Sequence, residues 1–199
     1  MSLELINTLG TVATVVIVAA AALAGLVQLR HLRAGNQINA MLTIGEELSG
    51  KAFNDADTLT SQKLQAALND PAYRDYEVAR GRGLVSPEVS QEYVELRRAA
   101  LLVGNAYEEL GVLVKNGIIE KSLFLDRYAW RILSDWRLLE KLTALSRAAT
   151  QQEGAWENFE YVAVLSEDWL ERKHSTYPKG MRRMQLTNPW PVVPIPATA

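Results

Sequence analysis

The chain has 199 residues, 48% of them apolar, and 21 basic against 23 acidic side chains give a formal net charge of -2. That is one ordinary domain with accessories, or two small ones, and the near-neutral balance disfavours a nucleic-acid footprint, which is usually basic. The absence of cysteine excludes disulfides, Cys-ligated zinc, iron–sulfur clusters and thiol catalysis, and two histidines, His31 and His174, leave little for a multi-His metal site.

The apolar residues are partitioned. Residues 5–29 are 25 consecutive positions without a charge, so every charged residue except Glu4 lies from Arg30 onward. A bilayer core ~30 Å thick needs ~20 apolar helical residues, and this run suffices. The competing readings are a buried core helix, which would show a polar stripe that this run lacks, and a cleavable signal peptide. Against the latter, the start MSLELIN has no basic n-region and the apolar stretch exceeds the usual ~7–15 residues. Glu4 precedes the span, and Arg30, His31 and Arg33 follow it as the membrane boundary. Positive flanks stay in the cytoplasm, so residues 1–4 are expected outside and 30–199 inside. The small-residue pairs Ala20/Ala24 and Ala21/Gly25 would allow two spans to approach.

No proline interrupts residues 1–70, so the span is expected to continue as a juxtamembrane helix over 30–53. Ile38, Met41, Gly45, Leu48 and Ala52 form its thin apolar stripe. Residues 54–60 read as a break, 61–68 as a short helix ending before Asp70-Pro71, and 71–85 as a linker. Within that linker, Arg80-Gly-Arg82-Gly is either a flexible connection or a contact for a phosphate or anionic head group.

Ser86-Pro87-Glu88 then gives a helix start, with a capping hydroxyl and a proline at the first helical position. Val89, Tyr93, Leu96, Ala100, Val103, Tyr107, Leu110 and Val114 alternate at spacings of 4 and 3, a heptad-like seam on a helix to about Asn116. Asn116-Gly117 stops it. A helix follows over about 120–149, with Leu125, Ala129, Ile132, Trp136 and Leu139 inward, and the short turn favours an antiparallel hairpin. A last helix is expected over about 155–173, with Trp156, Phe159, Val162, Ala163 and Trp169 buried. Four tryptophans, Trp130 included, read as core. Five of the seven prolines fall after Tyr177, which makes residues 174–199 a Pro-rich tail, extended or anchored on the body through Trp190.

Chemistry is sparse. Glu108, Glu109, Glu160 and His174 are the only candidates for an enzyme pocket, and neither histidine has the Glu-x-x-His spacing of a di-metal bundle. There is no Walker loop, GxSxG or GxGxxG, and nothing calls for a cofactor or a metal. Arg172, Lys173, Lys179, Arg182 and Arg183 form a basic stretch suited to anionic lipid.

The segments NAYEELGVLVKNGIIEKSLFLDRYAWRILSDWRLLEKL and AWENFEYVAVLSEDWL carry a family pattern. Its residues are Tyr107, Glu109, Leu110, Gly111, Gly117, Ile118, Ile119, Trp136, Trp156, Phe159, Glu160 and Tyr161. In these the chain resembles a family of small bacterial membrane-anchored helical proteins catalogued only as a domain of unknown function. The resemblance covers about residues 30–169, with 54–85 poorly matched. It implies the layout of one span and a helical body, and it brings no activity and no catalytic residues.

The sequence therefore predicts an all-α protein: a transmembrane helix (5–29) continuing into a cytoplasmic antiparallel helical bundle (54–173), with a Pro-rich tail. It is expected to act by binding, as a scaffold or regulatory module on the lipid bilayer, with a second copy or another protein as partner. A membrane-tethered enzyme, or a lipid or nucleic-acid binder acting through the basic C-terminal stretch, is the alternative.

Overall fold

The computed structural model of the chain describes residues 3–85, 87–172, 177–178 and 180–190. Ser86, Lys173, His174, Lys179 and residues 191–199, on which some of the expectations above fall, lie outside the described residues. The described residues form six helices and no strand: α1 (Leu3–Ser49), α2 (Lys51–Asn69), α3 (Pro71–Gly81), α4 (Gln91–Lys115), α5 (Lys121–Thr150) and α6 (Glu157–Arg172).

The span and the juxtamembrane helix are one element. α1 has 47 residues, about 70 Å at 1.5 Å per residue. Residues 7–24 are exposed throughout, so nothing in the described chain covers the apolar run, and it is not a core helix of the body. Arg30, His31 and Arg33 sit on the same helix, also exposed. Only the last turns of α1 reach the body, where Ile44 and Leu48 are buried and Ala40 and Met41 pack beside them. Of the stripe expected from the sequence, Leu48 is buried, but Ile38 and Ala52 are exposed. α1 ends at Gly50, whose extended backbone (φ -61, ψ 148) is the N-cap of α2, so residues 51–53 belong to α2.

The break expected at 54–60 is absent. Asn54, Asp55 and Thr58 face solvent, while Phe53, Ala56, Thr60, Leu64 and Ala67 recur at helical spacing and are buried, chiefly against α4. The polar residues are one face of a continuous amphipathic helix. The linker expected at 71–85 is mostly α3. Asp70 accepts a hydrogen bond from Ala72 N at 2.9 Å and Pro71 occupies the first turn, a strong start signal. Tyr73 and Tyr76 then bury their rings. Arg80-Gly-Arg82-Gly closes α3: Arg82 Nε donates to Ala149 O at 3.0 Å near the end of α5, and Gly83 takes φ +66.

α4 starts at Gln91, later than expected, with Ser90 as its cap and Val89 just outside. Its seam is buried from Leu96 to Val114, while Val89 and Tyr93 are half-buried. The partners are the chain's own α2 and α6, so the seam presents no free face to a second copy. After the turn at Gly117 (φ +67), Glu120 caps α5 by accepting from Ser122 N and Leu123 N. α4 and α5 meet at this turn, and α6 packs more extensively on each of them than they do on one another. The helix pair expected from the short turn is thus a three-helix unit.

Trp130 corrects the tryptophan reading. It is 76% exposed, because it follows Ala129 by one residue and falls about 100° off the buried stripe. Trp136, Trp156 and Trp169 are half-buried. Residues 181–190 have no helix and are exposed, and Trp190, at 75% exposure, does not anchor the tail on the body.

Candidate functional site

The core is organised around an aromatic stack with one polar edge. Tyr107 of α4 stacks on Phe159 of α6, ring centroids 4.8 Å apart, and takes Phe53 of α2 edge-on at 5.8 Å. Trp136 of α5 meets Phe159 edge-on at 5.1 Å. Offset and edge contacts of this kind add to the area each ring removes from water. The Tyr107 hydroxyl, with the residue fully buried, donates to Asp135 Oδ2 at 2.6 Å.

Asp135 is 6% exposed. Burial raises its carboxyl pKa to about 6; the Tyr107 hydrogen bond and the Arg131 charge pull it down, and Asp57 pushes it up. Burial, reinforced by Asp135, raises the Tyr107 hydroxyl far above its ordinary value. The pair therefore holds one titratable carboxyl close to physiological pH inside the bundle.

Arg131 joins this pair to the C-terminal end of α1, the stalk of the body. Its Nε lies 3.9 Å from Asp135 Oδ2, and its Nη2 donates to Asp57 Oδ2 at 3.2 Å and to Asn54 Oδ1 at 3.3 Å. Its Nη1 donates to Leu48 O at 3.0 Å, one of the carbonyls that the end of α1 leaves without an intrahelical partner. The guanidinium also lies 4.9 Å from the Phe53 ring centroid. One arginine on α5 thus holds the C-terminus of α1 and the first turns of α2 on both sides of Gly50. A cation at a helix C-terminus also complements the helix dipole.

The acids singled out in the sequence take separate places. Glu108 caps α6 from α4: its Oε2 accepts from Asn158 N and Phe159 N, both at 2.9 Å, and its Oε1 from Asn158 Nδ2 at 2.6 Å. That approach depends on two glycines. A Cβ on Gly111 would lie 2.2 Å from Asn158 O, and one on Gly104 would lie 2.3 Å from the Trp156 ring. Glu160 pairs with Arg147 at 2.6 Å. Glu109 is exposed and shares with Glu46, Glu47 and Phe53 an open cleft of about 520 Å³ between the α1–α2 junction and α4. His174 lies outside the described residues, as do Lys173 and Lys179 of the basic stretch. Arg172 is exposed at the end of α6, and Arg182 and Arg183 are exposed in the tail, with Arg183 4.9 Å from the Tyr177 ring centroid. Among the described residues no group of three or more acidic or histidine side chains is placed to hold a metal ion.

Asp135, Arg131 and Asp57 were not singled out from the sequence. Asp135 carried a usable signal: it lies three residues after Ile132 and four before Leu139, on the buried stripe of α5, where an acid needs a partner. Arg131 and Asp57 carried none, since they sit on flanks between buried and exposed faces.

No curated protein matches the chain, and no solved structure does. One family model, described as a domain of unknown function (DUF4760), matches residues 14–169. The match takes in residues 14–29 of the apolar run and ends at Trp169 in α6.

Proposed function

The chain belongs to the DUF4760 family, and from its own geometry we propose that it is a single-pass membrane protein whose cytoplasmic helical body works by binding. One observation carries the reading: an apolar run with nothing packed on it lies on the same unbroken helix that buries Ile44 and Leu48 in the body. Water disfavours such a surface strongly, at about 25 cal/mol per Å² of apolar area, and a bilayer removes it. The basic flank Arg30, His31 and Arg33 favours the body on the cytoplasmic side.

A scaffold or regulatory role is supported by how the polar groups are used. Glu108 and Glu160 serve helix–helix contacts, and Arg131 fixes the body to the stalk. The exposed surfaces left for a partner include the Trp130 face of α5 and the cleft beside Glu109.

The chain has no cysteine, so single cysteines report topology directly. With cysteine at Ser2 or at Ala66, an impermeant maleimide applied to intact cells is expected to label the first only, and the second after permeabilisation. Labelling of Ala66→Cys in intact cells would overturn the orientation. Crosslinking in membranes followed by pull-down is expected to recover a defined complex; a monodisperse monomer without a partner contradicts the binding role.

A further inference from the structure

The end of the body that faces the bilayer can be identified by following α4 and α5 along α1. Glu109 of α4 shares a cleft with Glu46 and Glu47, and the six residues after Glu109 carry α4 on to Lys115. On α5, Arg131 binds Leu48 O, a Cβ on Gly45 would lie 3.6 Å from the Tyr128 hydroxyl, and Leu123 and Arg127 flank Ile38 and Leu42. Going back along α5 therefore climbs α1 toward the apolar span, and α4 ends at the turn from which α5 starts. The turn between them, residues 116–120, is the part of the body nearest the membrane.

Its height can be worked out. Ile38, which lines a cleft with Leu123, lies nine residues past Leu29, or about 14 Å along the helix. The turn projects further up than Leu123. Head groups extend roughly 5–7 Å beyond the hydrocarbon, and charges act over a Debye length of about 8 Å at physiological salt. The turn thus falls inside the electrostatic reach of the leaflet.

Its composition fits that place. Ile118 is 53% exposed and Leu123 48% exposed. Around them stand Lys115 and Lys121, both exposed, with Arg30 and Arg33 on the adjoining stretch of α1, while Arg127, a turn further along α5, donates its Nε to the Tyr128 hydroxyl at 3.0 Å. Two acids are present. Glu120 has its carboxylate engaged by Ser122 N, Ser122 Oγ and Leu123 N, and Asp126 is exposed. The end remains net basic, whereas the whole chain is net acidic.

We propose that the α4–α5 turn is a second membrane contact: Ile118 meets the interface of an anionic leaflet while Lys115 and Lys121 bind its head groups. The contact rests on the membrane reading above, because α1 sets its height. It would fix the tilt of the body, and it would release when the leaflet loses negative charge. Each basic residue close to an anionic surface contributes about fivefold in binding.

The test uses the full chain with one cysteine, labelled with an environment-sensitive fluorophore, in vesicles of phosphatidylcholine alone or mixed with phosphatidylserine, both carrying a spin-labelled quencher lipid. Three sites are compared: Val16→Cys in the span, Ile118→Cys at the turn, and Ala66→Cys on α2. Support is quenching at 16 in both lipids and at 118 only with phosphatidylserine, with none at 66. Raised salt should abolish the signal at 118, and K115Q with K121Q should weaken it about 25-fold. Quenching at 16 with none at 118 in either lipid overturns the docking and leaves the span standing. No quenching at 16 overturns the span and the docking together. The salt arm uses unaltered charges, so it decides the matter even if the double variant folds poorly.

Discussion

Replacing Asp135 with asparagine tests the polar centre of the bundle. The substitution keeps an oxygen to accept the Tyr107 hydroxyl at the observed 2.6 Å and removes the charge. Asp135 titrates at about 6 in the fold, above the 3.8 of an ordinary aspartate. The native state therefore binds more protons than the unfolded state between those values. Stability attached to this group is fully present below about pH 4 and is lost as pH rises through about 6. At 1.36 kcal/mol per unit, ionised Asp135 lowers stability at pH 7 by about 3 kcal/mol relative to its neutral form. Asp135→Asn escapes that penalty but must bury an amide nitrogen, so a gain of about 1–2 kcal/mol at pH 7 is expected. The assay is denaturant unfolding of the full chain in detergent from pH 4 to 8. The difference between variant and native chain is expected to move in the variant's favour across pH 4 to 6 and then level off. Subtracting the two curves removes the opposite contributions of Asp70 and Glu120, whose pKa values are lowered by hydrogen bonds they accept. A difference independent of pH, or a strongly destabilised variant at pH 7, would refute the reasoning.

Gly111→Ala places a methyl 2.2 Å from Asn158 O and displaces the N-terminus of α6. A loss of about 3 kcal/mol is expected by chemical denaturation, with Gly104→Ala similar because of the Trp156 ring. Tyr107→Phe leaves the buried Asp135 carboxylate without its 2.6 Å donor. It is expected to cost about 1–3 kcal/mol at pH 7 and less at pH 4, where the acid is neutral. Arg131→Met removes the donor to Leu48 O and the pair to Asp57. With a third of the side chain exposed, a modest stability loss of about 2 kcal/mol is expected, with faster proteolysis at residues 49–52 than in the native chain.

The elements legible in the sequence were those set by apolar periodicity alone. The uncharged run at 5–29 and the seam from Leu96 to Val114 both form the helices their patterns require. Where polar residues crowd one helix face, pattern reading fails: Asn54 to Thr60 resembled a break because Asp55, Asp57 and Thr58 hide the spacing of Phe53, Ala56 and Thr60. α3 was missed because Asp70-Pro71 was read as an end and not as a cap that begins the next helix. Neighbours across space were the least legible. The packing of α6 on α4 depends on Gly104 and Gly111 admitting Trp156 and Asn158, two small residues seven apart beside the seam. The joint at Arg131 draws on α1, α2 and α5, far apart in sequence, and no local pattern specifies it.

The central claim is that one helix leaves the bilayer and enters the body without a break until Gly50. A cysteine scan of the full chain in native membranes, read by maleimide labelling along residues 8–49, tests it most directly. Labelling is expected to be low through Leu29 and high on the exposed face from Leu32 to Leu42. It should be low again at Ile44 and Leu48, with a period of about 3.6 between them. Uniform labelling of residues 8–29 at the level of Leu32 would contradict the membrane span. Uniform labelling of 38–48 would contradict the docking of α1 on the body.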